Sequence, residues 1–364
     1  LSALLKPRTH LLLTSLLFGA FGSASSQSTI EEPLISGEAL LTRARAIHDR
    51  VLIVDSHDDI PFNFATAEVD PGVRADRQVD LVRMVEGGLD AEFFIVYVGQ
   101  GARDELGYEL ARERAMIKFN AIHKMTDEMY SDRIELAHTA ADVERIASSG
   151  KLVAAIGIEN GWVIGKDLDL IERYYSLGAR YMTLAHNGHN DISDSAQPNF
   201  NLGDDISEHD GISRFGEEVI AEMNRVGMMV DVSHISKVAM LDAVRLSRSP
   251  VVASHSSMAG LYEHARNMDD EQLLALRDNG GVIQTVAFGA YLTGDQSSPP
   301  DVNDLVDHID HAVNLIGVDF VGISSDFDGG GGIEGWQDAS ETFNVTLELV
   351  RRGYSEEDII QLWG

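Results

Sequence analysis

The sequence predicts an α/β fold, a (β/α)8 TIM-like barrel, on three observations. Eight apolar runs rich in β-branched or aromatic residues alternate with helical patterns over about 310 of the 364 residues. No Gly-x-Gly-x-x-Gly follows the first run, which counts against the runner-up, a doubly wound open sheet built around a dinucleotide. Six of the eight runs end in residues able to hold a metal or move a proton, and in a parallel barrel those ends share one mouth.

In chain order, residues 1–26 read as an export signal. Lys6 and Arg8 give a positive start, residues 11–20 an apolar core, and Gly22-Ser23-Ala24 a small-residue cleavage site. The core is too short for a comfortable membrane span, and no cysteine follows it for a lipid anchor. The expected mature protein is one domain over 27–364, without a membrane span, secreted or periplasmic in a bacterium. Residues 37–50 read as a helix leading into the first strand. Strands are expected at 51–55, 91–98, 152–158, 180–185, 228–233, 250–254, 281–286 and 320–325. Helices are expected at 101–130, 167–177, 214–226, 237–246, 269–279 and 302–316. Ser236 and the Asp269-Asp270-Glu271 run supply start signals for two of them. Residues 191–211 and 289–300 lack periodicity and read as long loops beside the mouth. Residues 329–332 are a glycine run after the last strand, and the helical pattern from Tyr354 stops at Trp363-Gly364, which reads as a truncated C-terminus.

Composition narrows the chemistry. With 59 acidic against 28 basic residues the formal net charge is −31, which repels phosphate backbones and argues against a nucleic-acid partner. There is no cysteine, so a disulfide framework, a thiolate metal site and a cysteine nucleophile are all excluded. Any metal must be held by His, Asp and Glu.

The first strand leads into His57-Asp58-Asp59. Side chains two apart on a strand share a face, so His57 and Asp59 converge while Asp58 points away. Glu159 closes the third strand, His186 the fourth, His234 the fifth, His255 the sixth, and Asp326 with Asp328 the eighth. A single zinc site needs three or four protein ligands. Five or six candidates suggest two ions sharing a carboxylate: one held by His57, Asp59 and Glu159, the other by Glu159, His234 and His255. A water between two such ions should ionise near neutral pH and attack an amide or ester carbonyl.

The segments DSHDDIPF, GIENGW, YMTLAHN, DVSHIS, SPVVASHSS, EHARNMDDE and VGISSDFDGG resemble, in order and spacing, the membrane (renal) dipeptidase family of binuclear zinc peptidases. That family is one of the amidohydrolase-type barrels, and the resemblance runs from about Asp55 to Gly364. It implies a zinc-dependent dipeptidase with two Zn2+ per chain, cleaving a dipeptide with a metal-bridging hydroxide. By the resemblance, His57, Asp59, Glu159, His234 and His255 are the metal ligands, with the glutamate bridging. His186 polarises the scissile carbonyl or holds its oxyanion, Arg266 binds the substrate's C-terminal carboxylate, and Asp326 orients the nucleophile and shuttles its proton. Bacterial members often accept a C-terminal D-residue, and the sequence leaves the stereochemistry open.

Asp58 stands where the family usually has asparagine, and the glycine–asparagine stretch after Trp363-Gly364 is missing. Without cysteines, a lipid-anchored, disulfide-linked dimer is not carried over, although a homodimer stays open. Tyr97, at the end of the second strand, is a candidate for substrate contact, and His189 and Asp194 are candidates for lining the pocket. Asp231 is expected to support His234, and Asp328 to support the eighth strand. His123, His138, His264, His308 and His311 read as surface or packing residues. Two other functions stay in view: hydrolysis of N-acyl amino acids or lactones on the same site, and a periplasmic metal- or peptide-binding protein.

Overall fold

The computed structural model describes residues 37–294 and 297–364, so the export signal expected over 1–26 lies outside the described residues. Residues 37–364 form one compact unit. Nine parallel strands make one sheet: β1 (Val54–Asp59), β2 (Ala91–Tyr97), β3 (Ile134–Leu136), β4 (Leu152–Glu159), β5 (Ala179–Thr183), β6 (Met229–Asp231), β7 (Val252–Ser256), β8 (Val282–Val286) and β9 (Val321–Ser324). Their order is β1-β2-β4-β5-β6-β7-β8-β9, with the short β3 added beside the lower half of β4. The ring closes where Asp58 bridges Phe327 in parallel, the Asp59 amide donating to the Phe327 carbonyl at 2.9 Å and the Ser325 amide to Asp55 Oδ1 at 2.9 Å. This is the eight-stranded barrel expected, with the ninth strand outside the ring.

The helices at Arg214–Val226, Lys237–Leu246 and Val302–Ile316 have the bounds read from the sequence. Ser236 caps the second of these by accepting from the Ala239 amide. Asp269 and Gln272 form a reciprocal capping box on Asp270–Asn279. Three expectations are corrected. The first strand starts at Val54 rather than at Val51; it ends in His57 and Asp59 as their shared face requires, a register shift between Asp55 and Asp58 keeping the polar end paired with β2. The helix expected over 101–130 covers Glu105–His123 and continues as a π-helical turn, Lys124–Met129. The segment after it, left without structure, holds β3 and the helix Ala140–Ser148.

The two ends of the described chain meet beneath the barrel wall. His48, 3% exposed, closes the helix Gly37–His48 and points Nε2 at the Gly87 carbonyl, 2.8 Å away. That carbonyl can only accept, so Nε2 carries the hydrogen and Nδ1 accepts from the Thr346 hydroxyl at 2.8 Å. Thr346 in turn accepts from the Trp363 indole at 3.0 Å. Burial, the largest influence, pushes the His48 pKa down, and the bond to Gly87 opposes it.

A folded pKa below the unfolded value makes neutral His48 stabilising above about pH 6.5. That contribution is lost as pH falls through the lowered folded value. Urea unfolding between pH 7.5 and 5 should show wild type losing stability relative to His48→Gln by up to about 1.4 kcal/mol per pH unit. A pH-independent difference between the two would contradict it.

Candidate active site

Glu159 ends the apolar strand β4 and presents its carboxylate, 3% exposed, at the C-terminal mouth of the barrel. Its Oε1 lies 3.1 Å from His234 Nε2, 3.3 Å from His255 Nε2 and 3.7 Å from His186 Nε2. Its Oε2 lies 3.7 Å from His57 Nε2. The four imidazoles come from four different strand ends, and three of them are almost wholly buried. The mouth thus gathers His57, Glu159 and His255 into one potential ligand group and Glu159, His186 and His234 into another. Asp59 belongs to neither group. It stands beside Asp326 across Gly329, where a Cβ would lie 2.9 Å from Asp59 Oδ2 and 2.5 Å from Asp326 Oδ1. Asp326 Oδ1 is 3.9 Å from His57 Nε2.

Two neighbours that sequence reasoning missed orient these rings. Tyr181 donates its hydroxyl hydrogen to the Ser56 carbonyl at 2.9 Å, so its oxygen accepts from His57 Nδ1 at 3.1 Å. His57 Nε2 is left buried with no hydrogen-bond partner. The Asn187 side-chain oxygen lies 3.2 Å from His234 Nδ1 and plays the same part there. Tyr181 sits in a strand whose apolar pattern hides it, and Asn187 follows His186 with no signal of its own. His234 and Asp326 both hold left-handed backbone, at φ 67° and 57°. Non-glycine residues adopt that conformation at a cost of order 1–3 kcal/mol, and such strain concentrates at functional sites.

The electrostatics favour a cation here. Burial works against a charge on His57, yet the charges of Glu159, Asp59 and Asp326 outweigh it and raise its pKa to about 10. Burial would raise Glu159, but the neighbouring histidines hold it well below the usual carboxylate range. Burial and the charge of Glu159 lift Asp59 to about 6, and burial chiefly lifts Asp326 to about 8. His234 and His255 are pushed well down, by burial first and by nearby positive charge second. Crowded carboxyl groups, beside His234 and His255 that resist protonation, make a divalent cation the positive charge that suits this site. The unpartnered His57 Nε2 and Asp59 Oδ1 give such an ion a nitrogen and an oxygen to bind, the donor set that suits zinc.

Around this centre the other expected residues fall on both sides. Arg266 is 3% exposed; it donates to the His255 carbonyl at 3.1 Å, and its Nε has no hydrogen-bond partner. The Tyr97 ring packs on His186 at 4.7 Å. Lys118, unremarked in the sequence, is 3% exposed, its ammonium 5.5 Å from the Tyr97 ring and 5.1 Å from that of Phe62. Asp58 does turn away, but into a buried ion pair with Arg77 at 3.4 Å, which Asp328 joins at 2.9 Å while accepting from the Gln78 amide. Asp328 therefore anchors the segment before Val79 rather than a ligand. His189 and Asp194 tie down their own loop, His189 accepting from the Ser195 amide and Asp194 from the amides of Glu208, His209 and Gly211. His123, His308 and His311 bond to Leu177, Met258 with Leu292, and Asp270, as packing residues would. Asp231 does not hydrogen-bond to His234; it accepts from the amides of Ser233 and Ser254 instead.

A parallel barrel with histidines and carboxylates turned on one buried glutamate at its C-terminal mouth is a metallohydrolase scaffold. The model of the membrane dipeptidase family, peptidase family M19, matches residues 41–364, and the chain belongs to that family of metal-dependent enzymes. It is similar to the dipeptidase tcpJ of Claviceps purpurea, 37% identical over 79% of this chain and 67% of that protein. It is also similar to the dipeptidase verJ of Clonostachys rogersoniana, 33% identical over 91% of this chain and 87% of that one. Among solved structures, the probable dipeptidase PvdM from Pseudomonas aeruginosa superposes with a TM-score of 0.86 at 29% identity, covering 90% of this chain and 96% of that one. The M19 metallopeptidase dipeptidase AC does so with a TM-score of 0.75 at 25% identity, over 86% and 95%. Among the described residues no helix is long and apolar enough to cross a membrane.

Because a Cβ at position 329 would crowd both Asp59 and Asp326, Gly329→Ala should weaken divalent-metal binding about tenfold or more, read by chelator competition. An unchanged affinity would mean that neither carboxylate serves an ion.

Proposed function

We propose that this chain is a zinc dipeptidase that hydrolyses the single peptide bond of a dipeptide. The observation that carries the reading is the convergence of four imidazoles on Glu159, two of them within 3.3 Å of its Oε1. Two zinc ions would be held by His57, Asp59, Glu159, His234 and His255, with Glu159 shared between them. Bound there, zinc supplies Lewis acidity and brings water close to ionisation at neutral pH.

The protein's own groups do the rest. Arg266 pairs its planar fork with the substrate's terminal carboxylate, which selects a dipeptide over a longer peptide. His186, braced by the ring of Tyr97, donates a hydrogen bond to the oxygen that gains charge as the carbonyl is attacked. Asp326 takes the proton of the attacking water and passes it to the departing amine, so that each product leaves neutral at the broken bond. Tyr97 also forms part of the wall against which the substrate lies. The near-complete burial of the ligands keeps bulk water away and strengthens each of these interactions. Residues 1–26 serve as a removable export signal, so the enzyme works outside the cytoplasm, where a cysteine-free chain has no thiols to oxidise. Both stereochemistries at the C-terminal residue, and a homodimer, are compatible with this reading.

Metal analysis of the active protein should find about two zinc ions per chain, and fewer than about one would remove the binuclear reading. Arg266→Ala should raise KM for dipeptides roughly 100-fold while leaving esters without a carboxylate little changed. Equal effects on both substrates would refute the clamp. Asp326→Asn should lower kcat by about 100-fold to 10,000-fold with KM nearly constant.

A further inference from the structure

A histidine offers Nε2 to a metal only when its remaining hydrogen sits on Nδ1, so whatever Nδ1 meets decides whether the ligand is ready. His57 and His234 meet neutral acceptors, the Tyr181 hydroxyl and the Asn187 amide oxygen. His255 meets something different. Its Nδ1 lies 2.9 Å from Ser254 Oγ, and that same oxygen lies 2.6 Å from Asp231 Oδ2.

Asp231 is wholly buried, and its two oxygens are surrounded by donors. Oδ1 accepts from the amides of Ser233 at 3.0 Å and Ser254 at 2.9 Å, and Oδ2 accepts from the Thr183 hydroxyl as well as from Ser254. Four donors use the capacity of an ionised carboxylate and leave no room for a proton on it. The single hydrogen of the Ser254 hydroxyl must therefore point at Oδ2. The Ser233 hydroxyl is a longer alternative at 3.5 Å, and the Tyr181 hydroxyl, also near it, already accepts from His57. Ser254 Oγ then faces His255 with a lone pair, and Nδ1 must carry the hydrogen between them.

We propose that Asp231 is a positioning residue for the metal centre, acting through Ser254 to lock His255 in the tautomer that frees Nε2. This rests on the zinc reading above. Of the three supported imidazoles, His255 is the one backed by a carboxylate, which raises its donor strength above that of His57 and His234.

The test uses the whole protein with 15N-labelled histidine, in two measurements. In metal-free wild type, nitrogen spectra should show His255 carrying hydrogen on Nδ1 and none on Nε2; finding it on Nε2 would overturn the relay, and this needs no variant to fold. Zinc affinity by chelator competition should fall about 10- to 100-fold in Ser254→Ala, while Ser254→Thr, which keeps the hydroxyl, should retain most of it. Equal zinc affinity in Ser254→Ala and wild type would also overturn the relay. Wild type that binds no zinc at all would instead defeat the functional reading, and the tautomer measurement would still judge the relay.

Discussion

Glu159 places a carboxylate where water hardly reaches, and the rest of the mouth is arranged around the consequence. An uncompensated buried charge costs several kcal/mol, so its surroundings must answer it. They do so with four imidazoles and, one layer out, with Arg266 and Lys118. Asp59 and Asp326 stand in the same small volume, where burial and neighbouring carboxylates resist their ionisation, and added positive charge would relieve that. The barrel supplies what makes this tolerable: parallel strands that bring residues far apart in sequence to one mouth, each on a rigid end.

The strand β1 shows how far buried charge is carried in this fold. One side gives His57 and Asp59 to the centre. The other gives Asp58 to a buried ion pair with Arg77 and Asp328, close to Glu92, whose carboxyl burial and the charges of Asp55 and Asp58 keep well above its ordinary pKa. A buried ion pair seldom adds stability over an apolar core, but breaking one is costly. The pair therefore holds β1 in register from behind while its front face works. Tyr181 adds a second hold by joining the β1 backbone at Ser56 to the ring of His57.

Much of this was legible in the sequence, and the gaps have physical reasons. The alternation of apolar runs with helical patterns announced the barrel, because strands buried on both faces read as continuous apolar stretches. The placement of His57, Glu159, His186, His234, His255 and Asp326 at strand ends announced the mouth. The start of β1 at Val54 was hidden, since an apolar run beginning at Val51 does not mark where pairing with β2 begins. β3 and the helix Ala140–Ser148 were hidden because a three-residue strand is too short for periodicity to register. Asp231 was expected to support His234, three residues on in the chain, but its carboxylate bonds to Ser254 in space. The left-handed backbone at His234 and Asp326 carries no marker either, because glycine is the residue that normally signals it.

The ring is sealed between its first and last strands by one bridge and a few hydrogen bonds, and His57, Asp59 and Asp326 all sit along that seam. Other adjoining strand pairs share ladders of up to seven residues, so this joint, with that between β6 and β7, is among the least reinforced in the wall. Warming that parts the first strand from the last would separate these three groups while most helices stayed wound. Heat would then silence the enzyme before it melted, and a covalent staple across that joint would be the economical way to make the protein more durable.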